Sequence, residues 1–292
     1  MTDPTVAAPD GDRAALAALG APADPEPDWI EAAGIRFHVL GWGPPDGAPV
    51  LLMHGVTSSA RGWWRIGPAL AAAGYRVIAP DLPGHGLTAS WRGHAVFRDT
   101  AVDMAAFARA AFAGTAPANV RVVAHSWGAM TASWFPAVGY LPGRLVLVDP
   151  PTIPLAVISQ LLEAPDDRYY DDVRTAVEAV GRQCPTWSYG DVAAKAESLT
   201  QFDEPAVRAI LTENGNWDGG LEALSLAAAR DVPTRLIRGD PANGGFVPDA
   251  VLPLLRARLG PENVVTLTGA PHSPHRTHPI ETTRALLRAL AV

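Results

Sequence analysis

The sequence is nearly devoid of two residue types. Its 292 residues include a single cysteine, Cys184, and a single lysine, Lys195, among 23 basic side chains. One cysteine excludes an intrachain disulfide and a cysteine-based zinc cluster. Such low cysteine usage also fits a protein of a reducing compartment.

Positive charge and long apolar runs are also scarce. The 23 basic side chains face 30 acidic ones, a formal net charge of −7, so the chain lacks the basic character typical of nucleic-acid binders. No apolar run approaches the roughly 20 residues that cross a bilayer. The acidic N-terminus lacks the basic and apolar segments of a secretory signal. We therefore expect a soluble, cytoplasmic protein that acts on a small molecule, without a nucleic-acid or membrane partner.

What the sequence does contain is ample material for a packed core. Apolar residues make up 48% of the chain and charged residues 18%, which excludes a disordered protein. Short continuous apolar runs alternate with helix-length segments, and such runs are typical of parallel strands buried on both faces. The pattern predicts a doubly wound, mostly parallel α/β fold. The runs lie at residues 50–53, 76–79, 120–124, 145–148, 234–237 and 264–267.

The strand–helix alternation is interrupted once, late in the chain. Residues 152–230 are predicted to be helical and lack convincing strands. An insertion there would emerge at the carboxyl ends of parallel strands, where ligands bind. We therefore interpret 152–230 as a helical cap, and 29–151 with 231–292 as the core. Residues 1–28, rich in Pro, Asp and Ala, are expected to form an N-terminal arm. The oligomeric state stays open, including a homo-oligomer in which this arm contacts a neighbouring subunit.

A serine stands where the run 120–124 gives way to a helical pattern, in the sequence Ala124-His125-Ser126-Trp127-Gly128. The residues two before and two after it are small, although the usual pattern has glycine at the first of these positions. A sharp strand-to-helix turn requires small residues there, and it holds a nucleophilic serine at the top of the sheet. We interpret Ser126 as a nucleophile. The alternative is a serine that caps the N-terminus of the helix.

Three further motifs follow predicted strands. They are His54-Gly55, the stretch Ala79-Pro80-Asp81-Leu82-Pro83-Gly84-His85-Gly86, and Gly269-Ala270-Pro271-His272-Ser273. Together with the serine motif, and in this order and spacing, they resemble the α/β-hydrolase superfamily over residues 29–292. The resemblance implies an α/β-hydrolase fold with a helical cap inserted before the last two strands. It also places the chain in the serine-nucleophile branch, similar to capped esterases and lactonases.

The resemblance also implies a catalytic triad. A serine hydroxyl is a weak nucleophile that needs a base and a group to orient that base, in the family order Ser, acid, His. His272, just beyond the last strand, is expected to be the base, with His275 as its competitor. Asp240, after the run 234–237, is the expected acid. Asp149, at the end of the preceding strand, is the alternative acid, since some members of the family use that position.

The resemblance places the oxyanion hole on the backbone. Its donors are expected to be the N–H groups of Trp127, after the serine, and Val56, after the His-Gly motif. We interpret His54, His85 and His125 as structural. Neither a metal nor an organic cofactor is implied.

The expected reaction is hydrolysis of a small or medium apolar carboxylic ester or lactone through an acyl-enzyme. Serine at position 126 argues against epoxide hydrolases and haloalkane dehalogenases, whose nucleophile in this fold is aspartate. A hydroxynitrile lyase would use a cap lysine, but Lys195 is expected to be exposed. A C–C bond hydrolase and a ligand-binding sensor of the same fold remain alternatives. So does a proline iminopeptidase-like enzyme, whose acidic cap residues would come from Glu163, Asp166, Asp167 and Glu204.

Overall fold

A computed structural model describes residues 10–88, 93, 95–163, 167–227 and 231–291 of the chain. The strands in these residues are β1 (Glu26–Ala32), β2 (Ile35–Trp42), β3 (Ala48–Met53), β4 (Tyr75–Pro80), β5 (Arg121–His125), β6 (Arg144–Val148), β7 (Thr152–Ile153), β8 (Trp217–Asp218), β9 (Thr234–Arg238) and β10 (Val264–Thr266). Eight of them form one sheet in the order β1-β2-β4-β3-β5-β6-β9-β10. The pairs β1–β2 and β2–β4 are antiparallel, and the other pairs are parallel.

Helices cover both faces of this sheet and fill the segment between β6 and β9. None of the helices in the described residues is both long and apolar enough to span a bilayer. They are α1 (Asp10–Ala18), α2 (Ile66–Ala72), α3 (Phe97–Ala111), α4 (Trp127–Ser133), α5 (Leu155–Glu163), α6 (Val173–Gln183), α7 (Tyr189–Ser198), α8 (Glu204–Glu213), α9 (Leu221–Ala227), α10 (Leu252–Leu259), α11 (Pro274–Thr277) and α12 (Pro279–Leu290).

Strand β3 shows why the apolar runs are continuous. Leu51 and Met53 belong to the apolar cluster that includes α3 and α4, on one face of the sheet. Val50 and Leu52 belong to the cluster that includes α2 and α12, on the other face. Alternate residues of a strand point to opposite faces, so a strand covered on both sides is apolar at every position. The predicted doubly wound, mostly parallel α/β fold is confirmed.

Two elements near the N-terminus differ from the sequence-based expectation. Strand β1 was not predicted, because most of its side chains are exposed and its sequence, EPDWIEA, has no apolar run. Within the predicted arm, residues 10–18 form helix α1, whose Ala15 is fully buried in the cluster with α2 and α12. This part of the arm packs on the rest of the chain.

The segment predicted to be a helical cap contains α5 to α9. It also contains the short strands β7 and β8, which pair antiparallel with each other and were not predicted. Helix α7 lies against the chain before α2 so closely that a Cβ at Gly190 would fall 2.4 Å from the ring of Trp64. The division into a cap at 152–230 and a core at 29–151 and 231–292 stays a prediction.

The turn between β5 and α4 depends on a close backbone approach at Gly128. A Cβ there would lie 2.4 Å from the carbonyl oxygen of His54 and 2.9 Å from that of Met53. Both contacts are to backbone, which cannot move aside as a flexible side chain would. Helix α4 can therefore start this close to the end of β3 only with glycine at position 128.

Replacing Gly128 with alanine is expected to destabilise the fold. Gly128→Ala should lower the free energy of unfolding by about 1–3 kcal/mol, because the added methyl overpacks against rigid backbone. The matched control is Gly181→Ala in α6, where an added Cβ meets nothing closer than 3.9 Å. That change should stabilise the protein by about 0.4–1 kcal/mol. Urea denaturation of the two variants checks both signs, and equal effects would contradict the packing argument.

Candidate active site

Ser126 occupies the strained turn between β5 and α4. Its φ of 55° and ψ of −124° place it in a region that residues other than glycine rarely adopt. Two hydrogen bonds hold this conformation: its N–H donates to the carbonyl of Val148 at 3.0 Å, and its own carbonyl accepts from the N–H of Met130 at 3.0 Å. Strain that the surroundings maintain is typical of functional positions.

The structure brings Ser126 and His272 together, as the sequence predicted. The Ser126 Oγ lies 2.9 Å from Nε2 of His272, although the two residues are 146 positions apart. The other ring nitrogen, Nδ1, lies 2.7 Å from Oδ2 of Asp149. In this arrangement the serine hydroxyl donates to Nε2 and Nδ1–H donates to the carboxylate. A hydroxyl, an imidazole and a carboxylate thus form a continuous chain of hydrogen bonds, the arrangement that a nucleophile, its base and an orienting acid require.

Asp149, directly after β6, is fixed by burial and by hydrogen bonds. It is completely buried, and its φ of 44° lies in a region that residues other than glycine rarely adopt. Its Oδ1 accepts from the N–H of Gly239 at 2.8 Å, and its Oδ2 from that of Phe246 at 2.9 Å. The ring of Phe246 stacks on His272 with 4.1 Å between centroids. Besides their bond to each other, the carboxylate is therefore held by two backbone N–H groups and the imidazole by the ring of Phe246.

The prediction that Asp240 would contact His272 is wrong. Its Oδ2 accepts from the N–H of Gly269 at 2.9 Å and its Oδ1 from that of Ala242 at 3.0 Å. These two backbone donors lower the pKa of the Asp240 carboxyl. The side chain caps the turn that follows β9, and the alternative acid, Asp149 on the neighbouring strand, takes the place beside the imidazole. In the sequence, the feature that could have indicated Asp149 as the acid is its position at the end of a strand, directly before two prolines.

The two expected oxyanion donors lie around the serine. Within the described part of the chain, no protein acceptor takes the backbone N–H of Val56 or of Trp127. The approach on the Val56 side is close, because a Cβ at Gly55 would lie 2.8 Å from the Cβ and 3.3 Å from the Oγ of Ser126. Glycine at position 55 thus allows the chain before Val56 to pass directly beside the nucleophilic oxygen.

Two buried histidines connect the loops behind these donors. His54 donates from Nδ1 to the carbonyl of Gly55 at 2.8 Å and accepts at Nε2 from the N–H of Leu82 at 2.9 Å. His85 donates from Nδ1 to the carbonyl of Pro83 at 3.1 Å and accepts at Nε2 from the N–H of Thr57 at 3.2 Å. Burial lowers the pKa of His54 to about 4 and that of His85 to about 3. Both imidazole rings are therefore uncharged, and each of them bridges two loops with one nitrogen as donor and the other as acceptor.

His125 and His275 lie on the other side of the base. The Nε2–H of His125 donates to the carbonyl of His272 at 2.8 Å. The ring of His275, the competitor for the role of base, packs against His125 and Trp63. Its buried Nδ1 has no hydrogen-bond partner within the described ranges of the chain. Burial holds the pKa of both rings well below the usual histidine value.

The expectation that Lys195 is exposed is wrong. Its ammonium group is buried and donates to Asp167 Oδ2 at 2.5 Å and to the carbonyl and the hydroxyl of Thr57 at 2.9 and 3.0 Å. Of the other acidic residues considered for a substrate ammonium, Glu204 is exposed. Asp166 and the side chain of Glu163 lie outside the described residues.

The described residues contain no group of three or more His, Cys, Asp or Glu side chains placed to hold a metal ion. A cavity of about 250 Å³ lies at the opposite edge of the sheet, lined by Leu145 and Thr234 at the starts of β6 and β9. Ser126 is not part of that cavity.

The four buried histidines predict an acid-sensitive fold. The unfolded chain protonates them below a pH of about 6.5, whereas the folded chain does so only at much lower pH. The free energy of unfolding should therefore fall between pH 7.5 and 5.5, by about 1 kcal/mol for each histidine. Urea denaturation across this range should show a shallower fall for His275→Leu, which removes one such ring. Parallel curves for the variant and the wild type would contradict this account.

Comparisons with known proteins show the family to which the chain belongs. A model of the alpha/beta hydrolase family matches residues 50–286. A haloalkane dehalogenase of Psychrobacter cryohalolentis is 52% identical over 59 residues, which cover 20% of this chain and 20% of that protein. Epoxide hydrolase B of Mycobacterium tuberculosis is 33% identical over 108 residues, or 36% of this chain and 30% of that protein. The chain thus matches at most about a third of the length of these curated relatives.

A similar solved structure covers much more of the chain. The crystal structure of E-2-(acetamidomethylene)succinate hydrolase superposes with a TM-score of 0.75 at 23% identity, covering 92% of this chain and all of that one. At this identity the likeness shows the fold. The family match, in contrast, covers most of the sequence and includes the positions of Ser126, Asp149 and His272. The chain therefore belongs to the alpha/beta hydrolase family.

Proposed function

We propose that this protein is a serine hydrolase that cleaves a small or medium apolar carboxylic ester or lactone through an acyl-enzyme. The observation that carries the proposal is the unbroken chain of hydrogen bonds from Ser126 Oγ through His272 to the buried Asp149. Beside it lie the backbone N–H groups of Val56 and Trp127, which have no protein acceptor among the residues that the structure describes.

The proposed mechanism follows from these positions. As Ser126 Oγ attacks the acyl carbon, its proton passes to Nε2 of His272, and Asp149 stabilises the imidazolium that forms. The negative charge on the former carbonyl oxygen is bound by the N–H groups of Val56 and Trp127. The imidazolium then protonates the alkoxide as it departs. The acyl group stays bound to Ser126 as an ester. His272 next takes a proton from a water molecule as its oxygen attacks that ester. The imidazolium then returns this proton to Ser126 Oγ as the C–O bond to the serine breaks, which releases the carboxylic acid and restores the free serine.

The surroundings of the site favour an apolar substrate. Val56 packs both on the cluster of the sheet and on an apolar cluster of the segment 152–230. Phe246 covers one face of the His272 ring. This placement supports the role of the segment as a cap over the site, because apolar pockets with few polar groups are the usual form of small-molecule sites. The apolar cluster of the segment consists of Val180, Val192, Leu199, Phe202 and Val207.

The alternatives have less support. A proline iminopeptidase-like enzyme needs free carboxylates for a substrate ammonium, and Asp167 is already engaged by Lys195. The similarity to a haloalkane dehalogenase and to epoxide hydrolase B covers 20% and 36% of this chain, and position 126 is serine. A C–C bond hydrolase stays an outcome of the substrate panel below. The predicted cytoplasmic location also stays a prediction.

Turnover should depend on the hydroxyl of Ser126. With p-nitrophenyl acetate and a panel of esters, lactones, thioesters and aminoacyl amides, Ser126→Ala should lower kcat by about 10⁴-fold or more. Ser133→Ala, which removes another buried hydroxyl at the last residue of α4, should keep wild-type activity. A fluorophosphonate should label the wild type and Ser133→Ala at Ser126.

Two outcomes of this experiment would redirect the assignment. Near wild-type turnover by Ser126→Ala on every substrate would contradict a serine hydrolase. Labelling of Ser126 without multiple turnover would favour the ligand-binding sensor.

The identity of the acid can be tested with two aspartates. Asp149→Asn should lower kcat by about 10⁴-fold, because an amide cannot stabilise the imidazolium or hold the same ring tautomer. Asp240→Asn should retain kcat and lose only stability, since that carboxylate bonds to loop N–H groups. Steady-state kinetics with thermal melts separates the two effects. A larger loss of kcat in Asp240→Asn would return the role to the residue expected from the sequence.

A further inference from the structure

Thr57, the residue after the proposed oxyanion donor Val56, has a backbone conformation that must be held in place. Its φ is 54°, a region in which a β-branched residue is an outlier. Every polar atom of Thr57 has a partner. Its N–H donates to His85, its carbonyl accepts from Lys195, and its hydroxyl lies 2.5 Å from Asp167 and 2.7 Å from the carbonyl of Val56.

Lys195 and Asp167 supply three of the bonds to Thr57 that come from outside its loop, and His85 supplies the other. The ammonium group has three hydrogens and three acceptors: the carbonyl and hydroxyl of Thr57 and the carboxylate of Asp167. A buried ammonium is costly unless it is paired and fully hydrogen-bonded. Burial lowers the pKa of Lys195 while Asp167 raises it, and the ammonium in turn lowers the pKa of Asp167. The single lysine of the chain thus donates two of its three hydrogen bonds to one loop residue, Thr57.

We propose that Lys195 and Asp167 are a positioning pair, which holds Thr57 in its strained conformation and so aims the N–H of Val56 at the reacting oxygen. The inference rests on the proposed function, because it concerns the oxyanion donor of that reaction. Its physical basis is the position of the Thr57 hydroxyl, which accepts from Lys195 and lies 2.5 Å from Asp167 Oδ2. The carbonyl oxygen of the peptide group between Val56 and Thr57 lies 2.7 Å from the same hydroxyl, within reach of its one hydrogen. Loosening the pair would let this peptide rotate, and the donor on the other side of Val56 would turn with it.

A second ion pair provides a matched control. Asp191, also on α7, bonds to Arg65 and to the indole N–H of Trp64 at 3.0 Å. Like Lys195, its side chain is buried and connects α7 to the chain near α2. Unlike Lys195, it does not bond to residues 54–57. Asp191→Asn therefore weakens the attachment of α7 without touching the oxyanion loop.

The experiment compares Lys195→Met, Asp167→Asn and Asp191→Asn in the full chain. Lys195→Met and Asp167→Asn should each lower kcat by about 10- to 100-fold, below the 10²- to 10³-fold that loss of a complete oxyanion donor costs. Their KM should change by less than about threefold. Their inhibition by an alkylboronic acid, whose tetrahedral adduct on Ser126 places an oxygen in the oxyanion hole, should weaken in proportion to kcat. Asp191→Asn should lower Tm and leave kcat and boronate inhibition unchanged.

The outcomes separate this inference from the proposed function and from a simple field effect. Ser126-dependent turnover with unchanged kcat in both pair variants would overturn the positioning pair alone. A loss in Lys195→Met combined with a gain in Asp167→Asn would show that the charges act through space, which also overturns it. If Lys195→Met does not fold, Thr57→Val, which keeps the shape and removes the hydroxyl, must show the same fall in kcat. Absence of both turnover and labelling in the wild type would remove the proposed function, and this inference with it.

Discussion

The site depends on three backbone segments approaching one another with almost no side-chain atoms between them. The end of β3, the turn after β5 and the start of α4 meet at distances that allow only hydrogen at two α-carbons, those of Gly55 and Gly128. This contact fixes the serine relative to the loop before Val56. Close packing inside a protein transmits displacement, so an added methyl at either glycine would shift the reacting groups themselves.

The same edge of the sheet concentrates backbone strain. Among the described residues, five other than glycine have a positive φ, and three of them, Thr57, Ser126 and Asp149, follow the neighbouring strands β3, β5 and β6. Each is over-determined by hydrogen bonds: Thr57 by Lys195 and His85, Ser126 by two backbone bonds, and Asp149 by two amides and an imidazole. Such strain persists only where the surroundings enforce it, which is why it collects where geometry matters most.

The parts that the sequence predicted well are those with a local physical signal. Continuous apolar runs marked the buried strands, and small residues around Ser126 marked its turn. The acid was different. Asp240 and Asp149 both follow strands, and the choice depends on which carboxylate is satisfied by its own loop. Asp240 is satisfied in this way, by the N–H groups of Ala242 and Gly269, and no pattern in the sequence announces that bond.

The burial of Lys195 also had no signal in the sequence, because its partners Asp167 and Thr57 lie 28 and 138 residues away. One consequence reaches beyond the site. With the single ammonium side chain enclosed, the cationic charge presented to water by the described residues comes from guanidinium groups and any protonated histidine. Guanidinium keeps its proton throughout the accessible alkaline range. The exterior formed by the described residues therefore lacks the lysine step near pH 10 in its titration curve, and its positive charges remain where those of a lysine-rich surface are lost.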